Sequence, residues 1–445
     1  MHTNDNFSGL GEDRMREKKK LLVYAHYYYP DVASTGQILT ELVEGLKDSF
    51  DITVISVVPS YTGKIEERYK QKKYFEEVIN GVKVFRVRVP EFTKTNKKSR
   101  ILNILAYFFR ATYLTLRLSK QDYVYTISQP PILGGGLGVI GKILKRGKLI
   151  YNIQDFNPEQ TLAINYTGNS LILKMAMYID KLTCRMSDQI IVVGRDMVET
   201  LSKRFKNGKI PTHIFINNWI DENEIYPLEK HHSKVHSFKK KYQLEDKFII
   251  AYSGNIGLYY DLENIMNVIQ TFKDREDVCF AFIGEGTVKD KLLSIKEERN
   301  LENVTFIPYQ NKEDLIYSLN AADIHWVVNA KGIKGVSVPS KLYGVMAAGK
   351  PVLGVLEPDS EARLLIEESG CGLVTNPGNY EAIQKMINFV LKNKRLVARK
   401  GMEGRKFLEK NLTKEMSIDK YKQAINNLEN NETLLEKGAV KTWVK

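Results

Sequence analysis

Cysteine and long apolar runs are scarce in this chain. Its 445 residues include three cysteines, Cys184, Cys279 and Cys371, which lie far apart and match no metal-ligand spacing. Such sparse cysteine favours a reducing compartment. No apolar run reaches the roughly eighteen residues that a membrane-spanning helix needs, and residues 1–16 lack the apolar segment of an export signal. We therefore expect a cytoplasmic protein.

Negative charge is also in deficit. Lys and Arg number 66 against 53 Asp and Glu, so the net charge is +13 and calls for an anionic partner. The basic residues are dispersed rather than interleaved with aromatic ones in one module, so no nucleic-acid binding is expected. GGGLG at 134–138, interpreted as part of a loop, lacks the ending of a Walker A motif. GEG at 284–286 lacks the spacing of a dinucleotide fingerprint.

Short apolar runs alternate with helical patterns through two halves of the chain. This alternation predicts an α/β fold with a parallel sheet in each half and a ligand cleft between the halves. The predicted strands cover 21–25, 51–58, 83–88, 123–128, 149–153 and 189–193, then 248–252, 278–283, 304–307, 324–328 and 352–356.

The predicted organisation has six parts. They are a disordered charged N-terminus (1–18), an N-terminal Rossmann-like domain (19–220), a solvated linker (221–246), a C-terminal Rossmann-like domain (247–405), a bracing helix (406–428) and a polar tail (429–445). The bracing helix is the end of one long helical pattern over 395–428. The linker histidines, His231, His232 and His236, have no carboxylate or thiol pattern beside them, so no metal site is predicted.

The stretch 336–372 predicts a helix, a buried strand and a second helix. Ser337 or Ser340 can cap the first helix, and Gly349 can end it. Lys341 then falls in the first turn, where its ammonium group would add to an anion site at the edge of the sheet. Glu361 falls in the first turn of the second helix. The alternative is a solvated Lys341 and a Glu361 that only complements the helix dipole.

Two further groups of polar residues follow predicted strands. Thr35 and Gly36 lie after the first strand, where glycine allows close backbone approach to a ligand. Asp155 and Glu159 lie after the fifth strand, which favours a site, although Asp, Asn and Pro also form plain turns.

A basic, aromatic-rich helix is predicted over 93–118. Its composition suits a helix that lies in a membrane interface. It equally suits an ordinary helix that covers a sheet and begins with basic residues.

Ten segments, in this order, resemble the family-4 retaining glycosyltransferases, which have the GT-B fold. They are HYYYPDVASTGQ, PSYTGK, NIQDFNPE, INNWID, YSGNIG, FAFIGEG, FIPYQ, AADIHWVV, VPSKLYGVMAAGKPVLG and SEARLLIEESGCGLV. The nearest group looks like the bacterial capsule and O-antigen enzymes that use N-acetylated amino-sugar nucleotides. The resemblance implies two Rossmann-like domains facing a central cleft, with the nucleotide-sugar donor on the C-terminal domain and the acceptor on the N-terminal one.

The resemblance also implies roles for residues. The catalytic set would be Lys341, Asp155, Glu159 and Glu361, with the two N-terminal acids facing the transferred sugar. Donor binding would involve Gly36, Thr35, Gly254, Asn255, Gly257, Tyr309, Gln310, Ser340, Lys341 and Glu361. No metal and no cofactor beyond the donor, expected to be a UDP-sugar, is implied.

The chain departs from the family pattern at several positions. The two glutamates that the family usually carries eight positions apart correspond to Val336 and Gly344. The usual Arg and Lys on the diphosphate correspond to Asn255 and Tyr260, so Lys341, with Lys334 or Arg195, is the expected source of charge. Gln154 stands where a histidine usually precedes Asp155.

The expected function is transfer of a sugar, of the N-acetylated hexosamine type, to a polyprenyl-diphosphate-linked saccharide in bacterial surface polysaccharide synthesis, with retention. The enzyme would act as a peripheral protein at the inner face of the plasma membrane. The alternatives are a sugar-nucleotide epimerase of the same build and a catalytically weak nucleotide-binding module.

Overall fold

The chain forms two α/β domains, each built on one β-sheet, and one linker joins them. The computed structural model describes residues 17–31, 33–93, 96–163, 170–206, 208–229 and 231–436. The first sheet has eight strands in the order β3-β4-β2-β1-β5-β6-β7-β8, and the second has six in the order β11-β10-β9-β12-β13-β14. All neighbours pair in parallel except the hairpin β3–β4. The predicted fold class, two Rossmann-like parallel-sheet domains, is confirmed.

The first sheet and its helices are built from these elements: β1 Lys19–Ala25, α1 Ser34–Leu46, β2 Phe50–Val57, β3 Tyr74–Ile79, β4 Val82–Val87, α2 Lys97–Arg117, β5 Tyr123–Ile127, α3 Leu133–Lys145, β6 Lys148–Ile153, α4 Asn157–Ala163, α5 Ser170–Met186, β7 Gln189–Val192, α6 Arg195–Arg204 and β8 His213–Phe215. The linker carries α7 Ser233–Lys241.

The second sheet and the C-terminal helices follow: β9 Phe248–Ser253, α8 Leu262–Ile269, β10 Val278–Ile283, α9 Lys289–Glu298, β11 Val304–Ile307, α10 Lys312–Ala321, β12 Ile324–Val328, α11 Lys341–Ala347, β13 Val352–Val355, α12 Glu361–Ser369, β14 Gly372–Thr375, α13 Tyr380–Lys392, α14 Lys394–Asn411 and α15 Lys414–Glu436.

Each sheet has a point where the chain order of its parallel strands reverses. In the second sheet the reversal lies between β9 and β12, and in the first it lies between β1 and β5. Ligands of open α/β sheets bind beyond the carboxyl ends of the strands at such a point. The segments that begin at Gly254 and Asn329 therefore frame the crevice of the second sheet.

The glycine-rich stretch after β5 was wrongly predicted as a loop. It forms α3, because its glycines let this helix lie directly on the sheet. A β-carbon on Gly138 would come within 2.4 Å of Thr126 Cγ2, and one on Gly134 within 2.4 Å of the Ile127 oxygen. This close packing outweighs the low helix propensity of glycine.

Three other expectations need correction. The linker 221–246 is not wholly solvated, since α7 buries Val235 and Phe238. The single helix predicted over 395–428 is two helices, α14 and α15, which break at 412–413. The tail predicted from 429 is helical up to Glu436. Residues 1–16 and 437–445 lie outside the described residues.

The last helix returns to the first sheet. Ile418, Tyr421 and Ile425 are buried in the same apolar cluster as strands β1 and β2. Helix α14 instead packs beside α11 and α12 through Leu408. The C-terminal segment thereby ties the two sheets together.

Candidate donor site in the cleft between the sheets

Lys341 lies at the reversal point of the second sheet. It is the first residue of α11, and its ammonium nitrogen lies 3.8 Å from the ring centroid of Tyr252 and 4.1 Å from that of Tyr260. The nitrogen is buried and has no hydrogen-bond partner among the described residues. Burial lowers the pKa of Lys341 well below its usual value. A cation that has lost its water and gained only two aromatic faces is a ready site for an anion.

Gly254 leaves room for this lysine. Its φ of +136° favours glycine, and a β-carbon there would lie 3.8 Å from the Lys341 nitrogen. Gly284, in the GEG segment, packs against Gly254, because a β-carbon on it would come within 2.0 Å of the Gly254 oxygen. GEG is therefore a packing feature beneath the 254–257 loop.

Asp155 reaches the same crevice from the first sheet. It forms an isolated antiparallel bridge with Ser337, and the neighbouring Phe156 N–H donates to the Val336 oxygen at 2.9 Å. Burial raises the pKa of Asp155, and a hydrogen bond from Ser337 opposes that rise. Burial, followed by the charge of Asp155, raises the pKa of Tyr260 to about 12. The charge of Asp155 therefore acts on Tyr260, one of the two rings that contact Lys341.

Glu361 lies in a contact between the first domain and the second. Its side chain is 1% exposed, and Oε2 accepts hydrogen bonds from the Arg195 backbone N–H at 2.8 Å and from Arg195 Nε at 2.9 Å. The same guanidinium donates to Glu368 at 2.6 Å. The Gly335 backbone N–H also donates a hydrogen bond to the Asp196 carboxylate at 2.8 Å. The start of α6 is thus joined to α12 and to the loop before α11.

Glu159 is held by a different arginine. Both of its carboxylate oxygens accept bonds from Arg204, each at 2.6 Å, and Arg204 is also bound by the buried Asp180. The guanidinium lies over the ring of Phe156. Glu159 therefore fastens α4 to α6, and its role at the transferred sugar stays a prediction.

Helix α1 begins at Ser34, so Thr35 and Gly36 lie in its first turn. Thr35 Oγ1 donates to Gln129 Oε1 at 2.7 Å. Gly36 is buried, and a β-carbon there would come within 3.2 Å of the Tyr27 oxygen. Packing against Tyr27 is thus one reason for this glycine.

The remaining predicted donor residues line the second sheet's side of the cleft. Tyr309 is 47% exposed. Burial, followed by the electrostatic effect of Tyr61 from the first domain, raises its pKa. Gln310 Nε2 donates to the Pro308 oxygen at 2.6 Å. The Asn255 amide lies beside Gly257, where a β-carbon would meet it at 2.8 Å.

The expected serine cap of α11 was wrong. Ser340 occupies the capping position, but its side chain makes no capping hydrogen bond. Ser337 hydrogen-bonds Asp155 instead. Lys334 and Arg195, the other predicted sources of charge, have carboxylate partners: Lys334 Nζ lies 3.4 Å from Asp359 Oδ2, and Arg195 pairs with Glu361 and Glu368.

Gln154 is fixed in a buried amide network that the sequence did not reveal. Its oxygen accepts from Asn218 Nδ2 at 2.8 Å, and its nitrogen donates to Asn152 Oδ1 at 2.9 Å. Asn152 in turn donates to the hydroxyls of Tyr125 and Tyr421. With both amide atoms occupied, Gln154 cannot replace a titrating histidine, and it links the cleft floor to α15.

Comparison with known proteins gives these residues a context. Residues 234–407 match the family model described as Glycosyl transferases group 1. The matched part of the chain contains Lys341, Gly254 and Glu361.

Similar proteins extend the likeness beyond this part of the chain. The "Putative colanic acid biosynthesis glycosyl transferase WcaI" of Escherichia coli (strain K12) is 26% identical over 412 residues, which cover 90% of this chain and 98% of WcaI. The fold resembles sucrose-phosphate synthase from Thermosynechococcus elongatus, with a TM-score of 0.73, 14% identity and coverage of 93% and 100% of the two chains. It also resembles Anabaena HepE in complex with UDP and glucose, with a TM-score of 0.68, 13% identity and coverage of 92% and 99%. The fold is GT-B.

Two absences apply to the part of the chain that the structure describes. No group of three His, Cys, Asp or Glu side chains there is placed to hold a metal ion. No helix there is long and apolar enough to cross a membrane.

Proposed function

We propose that this protein transfers a sugar from a nucleotide-diphosphate donor to a lipid-linked saccharide in bacterial surface polysaccharide synthesis, with retention at the anomeric carbon. The match to the group 1 family model supports glycosyl transfer, and the likeness to WcaI supports the polysaccharide context. One observation of this chain carries the proposal: the Lys341 ammonium lies buried without a hydrogen-bond partner at the reversal point of the second sheet.

The donor diphosphate would lie against Lys341. A diphosphate oxygen there would give the ammonium the hydrogen bonds that it lacks, and in the reaction Lys341 would stabilise the negative charge that grows on the leaving group. Ser340 makes no capping bond, so its exposed hydroxyl can serve as a second donor. Tyr309 and Gln310 would contact the base, and the 254–257 segment would follow the diphosphate.

The acceptor needs little acid–base help in this mechanism. The leaving diphosphate can itself take the proton of the acceptor hydroxyl on the same face of the sugar, and the protein mainly aligns the partners. Asp155 would bind a hydroxyl of the transferred sugar. Glu361 would act through Arg195 by holding the two domains together, and Glu159 would position α4 through Arg204.

The donor is proposed to be a UDP-sugar of the N-acetylated hexosamine type. The resemblance to the amino-sugar group supports the sugar class. HepE, whose structure contains UDP and glucose, supports the choice of a uridine nucleotide. Asn255 and Tyr260 replace the charged pair of the broad family, so this chain would rely on Lys341 for the diphosphate.

Membrane contact is proposed for the helical layer of α2, α3 and α5. Its outward apolar side chains are Ile101, Leu102, Leu105, Phe109, Tyr113, Leu116, Ile143, Leu144, Leu171, Ile172, Met175, Tyr178, Ile179 and Leu182. The three helices contain one acidic residue, Asp180, which is buried against Arg204. These helices and their ends also carry exposed cations: Lys98, Arg100, Arg117, Arg146, Lys174 and Arg185. Exposed apolar side chains combined with basic ones suit contact with an anionic bilayer.

The test is nucleotide release from a panel of UDP- and GDP-sugars, with and without a polyprenyl-diphosphate-linked saccharide in vesicles. Release that requires the acceptor supports the transferase and names its sugar, and NMR of the product reads its anomeric configuration. Release without acceptor would instead indicate hydrolysis or an epimerase. Donor binding with no release would indicate a nucleotide-binding module, consistent with Val336 and Gly344 in place of the usual glutamates.

A further inference from the structure

A groove of about 570 Å³ lies beside the cleft, between α4, α5 and α6 of the first domain and the loop before α11 of the second. Its lining combines apolar and basic side chains: Leu162, Ala163, Met177, Val336, Lys181, Lys203, Arg204 and others. Glu159 of the predicted catalytic set also lines it, whereas none of the predicted donor-binding residues does. We call it the α5 groove.

The inner end of the α5 groove adjoins the candidate reaction centre. Val336 lines it, and the Val336 oxygen accepts the Phe156 N–H at 2.9 Å, next to Asp155. On the opposite wall, a β-carbon on Gly332 would lie 3.6 Å from Ala163 Cβ. A molecule in the groove would therefore end close to Asp155.

The side chains that line the groove include three cations, Lys181, Lys203 and Arg204, and one carboxylate, Glu159. Arg204 is paired with Glu159 and with the buried Asp180, and this triad carries one net negative charge. Lys203 has one carboxylate neighbour, Glu199, at 3.8 Å, with the side chains 77% and 56% exposed, so this pair is weak. Lys181 has no ion pair among the described residues. Two amines are left to meet an anion.

The helix α5 contributes both to the groove and to an exposed apolar surface. Met177 and Lys181 line the groove, and on the same helix Met175, Tyr178 and Leu182 are 57%, 67% and 44% exposed. These three belong to the layer for which membrane contact is proposed. One helix, α5, therefore both lines the groove and carries part of that layer.

We propose that the α5 groove binds the lipid-proximal part of the acceptor, with the first isoprenoid units against Leu162 and Met177 and the phosphates against Lys181 and Lys203. This assignment rests on the proposed function, because it presumes a lipid-linked acceptor. The saccharide beyond the phosphates would then extend past Val336 toward Asp155. An anionic amphiphile fits the groove better than a free phosphate would, since most of its apolar wall would otherwise face water.

The experiment uses a photoreactive polyprenyl phosphate that carries no sugar, in phosphatidylcholine vesicles, with the full-length protein. Labelling should fall on peptides from 157–163 and 170–204. In the double variant Lys181→Glu/Lys203→Glu we expect labelling to drop about tenfold or more, because two charge-assisted contacts become repulsive. Lys206→Glu, an equal charge change just after α6, is the matched control and should label like the parent.

A second variant, Ala163→Trp, fills the groove without changing charge and should also abolish labelling. Circular dichroism and UDP binding check that each variant is folded. Labelling confined to other segments, or unchanged by both variants, would overturn the proposal. Competition by inorganic pyrophosphate at concentrations equal to the lipid's would overturn it too, since the groove would then be a simple anion site. Because the probe needs no turnover, a failed transferase assay leaves this result independent.

Discussion

The ammonium nitrogen of Lys341 lies 3.8 Å over the ring centroid of Tyr252, and Tyr260 covers it from a second side. A desolvated cation–π contact contributes about 2 kcal/mol, which does not replace the water that a buried ammonium loses. The buried Lys341 ammonium therefore lacks the hydrogen bonds that it would make in water. An anion that enters the crevice would supply them, which makes this position suited to binding a charged ligand.

Replacing Lys341 tests that idea most directly. Lys341→Ala should lower kcat/KM by about 100-fold or more, the usual effect of removing one group that stabilises transition-state charge. Folding should be retained, because the variant removes a buried, unpaired amine. Lys385→Ala, at an exposed lysine of α13, is the matched control. Full turnover in Lys341→Ala would rule out the role assigned to this lysine.

The lowered pKa of Lys341 predicts that both the stability of the protein and its donor binding depend on pH. Burial lowers its pKa in the folded protein, whereas the unfolded chain keeps the ordinary value near 10.5. Between the two values the unfolded state binds more protons, so the free energy of unfolding should rise with pH through that window. A bound diphosphate favours the ammonium form and raises the pKa again, so donor binding should take up protons above the folded-state value.

Calorimetry of UDP binding in two buffers with different ionisation heats measures this proton uptake. Lys341→Met should abolish the uptake and flatten the pH dependence of stability. Equal proton uptake in the parent and in Lys341→Met would show that another group titrates.

Much of the fold followed from local pattern. The strands at 278–283, 304–307 and 324–328 were predicted with the bounds that the structure shows, because each is a short apolar run between polar turns. The hairpin strand β3 and the short β14 were not predicted. Glycines misled the prediction at α3, since their close packing on Thr126 and Ile127 depends on the sheet and not on the helix itself.

The site was less accessible to sequence reasoning. Lys341 and Gly254 could be placed at strand ends, but the pairing of Lys341 with Tyr252 and Tyr260 depends on how distant segments meet at the reversal point. Contacts between domains posed the same problem. Arg195 and Glu361 each begin a helix, and nothing local indicates that the two helix starts face each other.

That contact between the domains gives a further prediction. Arg195→Ala leaves the Glu361 carboxylate, which is 1% exposed, without its side-chain partner. Because Arg195 is itself partly exposed, we expect the free energy of unfolding to fall by about 1–3 kcal/mol, the cost of one unsatisfied buried group, and KM for the donor to rise. Denaturant unfolding and donor kinetics measure the two effects.

Glu368→Ala is the matched control, since it removes only the exposed partner of Arg195 and should cost less than about 1 kcal/mol. The double variant Arg195→Ala/Glu361→Gln should recover part of the loss, because an amide tolerates burial better than an unpaired charge. If Arg195→Ala and Glu368→Ala were equally mild, Glu361 would not depend on Arg195.

The helical layer of α2, α3 and α5 makes the membrane proposal measurable. Phe109 on α2 is 65% exposed, and α2 contains no acidic residue. Phe109→Glu should weaken sedimentation with anionic vesicles at least about tenfold, since it removes the roughly 2 kcal/mol that burial of a Phe provides and adds repulsion. Phe389→Glu, at an exposed Phe of α13 outside this layer, should bind like the parent. Binding should also weaken as salt rises. If both variants sedimented alike, the apolar face of α2 would have to be covered by something other than a bilayer.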